Sequence, residues 1–203
     1  MTNQHQASLL TQLRALIPAQ ACSGDALLVA EAQALHLRRY FGGGGGRFDT
    51  GVIASLPRIH VTHRELPISG VTYWDGQRWN IDLNRSEPRV RQRFTLLHEY
   101  KHVIDHGATA TLYGGTVDEQ RQRAEAAADY FAGCVLMPRT VLLDLWARGV
   151  RSAAALARRL DVSERAIEVR LGQLGLQRER CARPVRSLGT EQQFTIVKRK
   201  AAA

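Results

Sequence analysis

The segment His98-Glu99-Tyr100-Lys101-His102 carries two histidines four residues apart with a glutamate beside the first. On a helix, residues at that spacing project from one face. Two imidazoles so placed bind one Zn²⁺ at Zn–N distances of about 2.0–2.1 Å. Glu99 then stands beside the ion, positioned to take a proton from a water the ion activates. The chemistry implied is metal-assisted hydrolysis.

A catalytic zinc needs a third protein ligand and an open fourth position. The continuation HExxHxxGxxH is absent, since Asp105 and Ala108 occupy the Gly and His positions. Glu125 is the candidate third ligand, on a second predicted helix that lies against the first. Asp118 and Glu119 are nearby acids on the same helix. Asp129, one turn beyond Glu125, is placed to accept a hydrogen bond from a ligand histidine and so fix its tautomer. Alanines between Ala124 and Ala132 allow the two helices close approach. A His-Glu-His followed by Glu-x-x-x-Asp is the gluzincin arrangement. Such a His₂Glu set also accepts Mn²⁺, because selectivity depends on geometry and supply. His106 is either a bystander or a polar residue on the substrate side. Tyr113, flanked by glycines, either donates to the oxyanion of a tetrahedral intermediate or packs on the core.

The elements that must position these residues follow from periodicity. Helices are predicted over 7–17 and 25–41, the second capped by Ser23. The run Gly42–Gly46 cannot hold regular structure and reads as a flexible loop over 42–47. Strand patterns cover 58–66, 69–74 and 78–83, with Asp75-Gly76 as a hairpin turn. The active helix is expected from an N-cap at Ser86, with Pro88 in the first turn, to about His106. Helices over 117–136 and 139–148 follow. The whole is α+β: a small antiparallel sheet packed on the HExxH helix and the Glu125 helix, with helical additions at both ends. The divisions are an N-terminal helical segment 1–41, the loop 42–47, a metallopeptidase core 48–150, a C-terminal segment 151–176 and a basic tail 177–203.

Charge and cysteine usage bound the setting. The chain of 203 residues carries a net charge of +9. From Arg151 onward there are twelve Lys/Arg against five Asp/Glu, so most of the surplus is C-terminal. Such a segment suits nucleic acid or an acidic protein, or is a solvated tail. Cys22, Cys134 and Cys181 are odd in number and form no CxxC pair, which argues against a disulfide framework. No secretory signal and no transmembrane stretch are read, so a cytoplasmic protein without a membrane partner is expected.

Residues 152–176 read as helix-turn-helix, with Ser163 capping the second helix. Arg165 and Arg170 there are candidates for contact with DNA or a partner. The rival is a helical packing unit on the core, since Glu164 and Glu168 would repel DNA.

Phe94-Thr95-Leu96-Leu97-His98-Glu99-Tyr100-Lys101-His102 resembles the FTLAHELGH segment of the ImmA/IrrE metallo-endopeptidases. Glu125 through Asp129 to Met137-Pro138 is similar to that family's E-x-x-A-N/D-x-F-A-x-x-L-L-M-P block. Ile68–Val71 and Ile81–Asn84 resemble its hairpin, and Leu156 to Leu176 its trailing segment. The resemblance implies an intracellular site-specific endopeptidase that cuts an Xre-type helix-turn-helix repressor, releasing genes of a mobile element, prophage or stress response. It also implies His98, His102 and Glu125 as ligands and Glu99 as catalyst. Lys101 departs from the pattern, standing where the family commonly has Gly. It falls among Val90, Phe94, Leu97 and Ile104, where a lysine must snorkel or find an acid.

Overall fold

The computed structural model describes residues 8–19, 25–43 and 46–176. Ser23, Cys22, Cys181 and the basic tail 177–203 lie outside the described residues. In chain order the elements are α1 (Leu9–Arg14), α2 (Ala26–Tyr40), a 3-10 turn (Thr50–Ser55), β1 (Ile59–Arg64), β2 (Gly70–Trp74) and β3 (Trp79–Asn84). Then follow α3 (Arg89–Asp105), α4 (Thr109–Tyr113), α5 (Val117–Leu136), α6 (Arg139–Ala147), α7 (Ala153–Leu160) and α8 (Glu164–Gln173). The architecture is α+β, as expected. Among the described residues no single helix is long and apolar enough to cross a membrane.

The sheet is mixed rather than purely antiparallel. Its order is β1-β3-β2, with β2 antiparallel and β1 parallel to β3. The three strands alternate in direction along the chain, so whichever takes the centre decides the pairing. β3 takes it because Trp79 through Leu83 are all buried, whereas β1 and β2 are half-exposed. The expected hairpin is present, with Trp74 opposite Trp79. Its turn is held by Asp75, whose carboxylate accepts from the N–H groups of Gln77 and Arg78 at 2.9 Å each.

α3 starts at Pro88, which takes the N-cap position, and Ser86 does not cap it. A residue before proline is pushed out of helical conformation, so Glu87 cannot enter the first turn. The N–H of Ser86 instead donates to Asn84. α3 buries Leu96, Leu97, Tyr100, Val103 and Ile104 against α5 and the sheet. α5 begins at a capping box in which Thr116 and Glu119 satisfy each other's backbone N–H groups. Ala128 and Ala132 are fully buried and let α3 and α5 lie close, while Ala127 packs with Val29 of α2 and Leu112 of α4.

Arginines fasten the helical additions to backbone carbonyls, chiefly at helix C-termini, where the dipole favours positive charge. Arg14 of α1 donates to the carbonyls of Val103 and Ile104 at the end of α3, at 2.8 and 3.1 Å. Arg38 of α2 donates to Val135 near the end of α5, and Arg170 of α8 to Met137 just beyond it. Arg93 joins α3 to Phe48 and to the end of α7, and pairs with Asp161 at 2.9 Å. Leu156, Leu160, Val162, Ile167 and Leu171 share one core cluster with α3 and α5. The C-terminal helical pair is therefore packed onto the core.

Candidate metal centre

α3 presents His98 and His102 on one face, and their Nε2 atoms lie 3.2 Å apart. α5 brings Glu125 against both: one carboxylate oxygen is 3.2 Å from His98 Nε2, the other 3.4 Å from His102 Nε2. One ligand atom from each residue lies within 4.8 Å of the others. Two imidazoles and a carboxylate converging so closely fit a tetrahedral Zn²⁺ site with one position left for water. His98 Nδ1 meets Asp129 at 2.8 Å, which fixes the tautomer leaving Nε2 free for a metal. Glu119 is engaged in the helix cap, and Asp118 does not join the cluster.

The electrostatics differ between the two histidines. Burial opposes charge on His98, but the hydrogen bond and charge of Asp129, backed by Glu125 and Glu99, outweigh it and raise its pKa. His102 is lowered, first by burial and then by the neighbouring His98. Asp129 therefore makes His98 the more basic donor.

Glu99 is almost buried beside the cluster, and its carboxylate accepts a hydrogen bond from the Thr72 hydroxyl at 2.7 Å. Thr72 belongs to β2, which lies across the active helix. That closeness depends on Gly70: a Cβ there would stand 2.6 Å from Thr95 Cγ2 and 3.3 Å from Glu99 Cγ. Ser69, Gly70, Phe94, Thr95, Glu125 and Asp129 line the cleft around His98 and Glu99. Sequence reasoning missed Gly70 and Thr72. The only signal was the Ser-Gly step opening the strand, with alternation placing residues 70 and 72 on one face.

Other candidates lie elsewhere. His106 caps the C-terminus of α3 in a non-helical conformation, so it leaves the ligand face and packs edge-on against Trp79 at 4.7 Å between centroids. Tyr113 is buried, and its hydroxyl donates to Asp105 rather than facing the cleft. Lys101 is fully buried and has found its acid, donating to both oxygens of Asp105 at 2.5 Å. Arg165 is exposed and paired with Glu168 at 3.3 Å. Arg170 is 1% exposed, so it cannot reach DNA; its guanidinium lies over the Tyr130 ring. Cys134 is buried, which pushes its thiol up to about 11 and leaves no thiolate nucleophile.

No match was found among curated proteins. Residues 58–172, more than half of the chain, match the family model described as the IrrE N-terminal-like domain, peptidase M78. The match spans β1 to α8 and so contains the sheet, the helices that carry His98, His102 and Glu125, and the C-terminal helical pair, and the chain belongs to this family of metallopeptidases.

Proposed function

We propose that the protein is a zinc-dependent endopeptidase of the cytoplasm that cuts an Xre-type helix-turn-helix repressor at one site, with Glu99 as general base. The observation that carries the reading is the convergence of His98, His102 and Glu125 beside a carboxylate that Thr72 holds in place. A structural zinc site employs four protein ligands and has no use for such a carboxylate. His98, His102 and Glu125 would hold the ion, Zn²⁺ or Mn²⁺, which would supply Lewis acidity to acidify a water and polarise a carbonyl. Glu99 accepts the proton of the attacking water and passes it to the departing amine nitrogen. Thr72 keeps the carboxylate aimed, and Asp129 keeps His98 in its ligating tautomer.

The substrate backbone would lie extended along β2. This strand is the sheet edge next to the cleft, and it offers unpaired main-chain groups for β-augmentation. A DNA-binding role for α7 and α8 is not favoured. Of its two candidate arginines, one is buried and the other is tied to an acid.

The test is to incubate the metal-loaded protein with a repressor encoded beside its gene, with Glu99→Gln as control, and to seek products by mass spectrometry. A discrete cut present only with the unaltered chain supports the reading. Intact metal binding with no cut in either form counts against it.

A further inference from the structure

A groove of 480 Å³ runs between the first half of α3, the second half of α5 and α8. Its walls are mainly apolar, formed by Val90, Phe94, Ala126, Met137, Ala166 and Val169. Val169 is 46% exposed and stands at this wall. Phe94, Asp129 and Arg91 line both the groove and the cleft that holds the metal ligands. The two depressions therefore adjoin.

We propose that this groove is a specificity subsite that receives a large apolar side chain of the substrate polypeptide, close to the scissile bond. The inference rests on the peptidase reading of the cleft. A polypeptide lying between Ser69-Gly70 and the metal ligands meets the groove directly past Phe94 and Asp129. The groove falls within the roughly 300–1,000 Å³ of sites that enclose ligands, and its apolar lining fits an aliphatic or aromatic side chain. Its outer wall, α8, is fastened to the end of α5 by Arg170, which donates to the carbonyl of Met137 at 3.2 Å. The C-terminal helical pair thus serves as the far wall of the substrate site.

The test uses the full-length, metal-loaded chain carrying Glu99→Gln, mixed with a peptide library made by digesting a bacterial proteome. Captured peptides should be enriched in Leu, Ile, Met or Phe at one fixed position. Adding Val169→Glu should lower that enrichment roughly tenfold, and Val169→Leu should retain it. Val169 faces solvent, so equal melting curves are expected for the three proteins. Absent enrichment, or enrichment untouched by Val169→Glu, overturns the proposal. The unaltered active site is assayed on the same library. Cleavage with an identical site profile in the Val169→Glu chain sinks the groove and leaves the peptidase reading standing. Capture that depends on Val169, with no cleavage, does the reverse. Dimerisation lost in Val169→Glu without any apolar enrichment would assign the groove to a second copy of the chain and overturn the proposal.

Discussion

Lys101 and Asp105, one turn apart on the active helix, form a doubly hydrogen-bonded ion pair sealed from solvent. Tyr113 donates to the same carboxylate, and Arg123 of α5 donates to the carbonyl of Tyr113 at 2.6 Å. The lysine that departs from the family pattern is therefore the start of a polar chain. It runs from α3 through α4 to α5, two residues before Glu125.

Breaking that pair from one side should be costly. Lys101→Met leaves Asp105 as a buried charge without its cation, and should lose about 3–5 kcal/mol of stability. Adding Asp105→Asn keeps an acceptor for Tyr113 and removes the charge, so the double variant should recover most of the loss. Urea unfolding of the three proteins measures both effects.

Thr72→Val removes the hydroxyl that holds Glu99 while keeping the shape of the strand. A hydrogen bond to a charged group contributes about 1.5–3 kcal/mol, so kcat should fall roughly 10- to 100-fold. Zinc content should stay unchanged, and Thr72→Ser should restore most of the rate. Metal analysis beside steady-state kinetics separates a loss of aim from a loss of metal.

Asp129→Asn should lower the titration midpoint of His98 in the metal-free protein, since burial then acts with less opposition. The sign follows from the raised pKa. The contribution of His98 to metal-free stability is present below the ordinary histidine value and is lost as pH rises through its higher folded value. The variant should flatten that dependence, and its zinc affinity should drop about 10- to 100-fold. Imidazole NMR titration and competitive zinc binding read the two outcomes.

Arg170→Met should cost about 1–3 kcal/mol by leaving the carbonyl of Met137 without its donor. Arg165→Gln, at an exposed pair, should change stability by no more than about 0.5 kcal/mol. Urea midpoints of the two variants check the contrast. Equal effects would mean that α8 is not fastened through Arg170.

The spacing of His98, Glu99 and His102 set their shared helical face, because α-helical periodicity is local. The bounds of α5, the Asp75-Gly76 turn and the Ser163 cap were legible for the same reason: each is decided by residues within a few positions. The pairing of β1 with β3 was not, because strand partners depend on which strand is buried deepest. Nor did periodicity reveal that Thr72 would reach Glu99, 27 residues later in the chain, since that contact exists only when Gly70 lets β2 lie on the helix. The charges of Lys101 and Arg170 were plain in the sequence, but their partners were not. Desolvation forces a buried cation to find an acid, a carbonyl or an aromatic face, and only tertiary packing decides which one it meets.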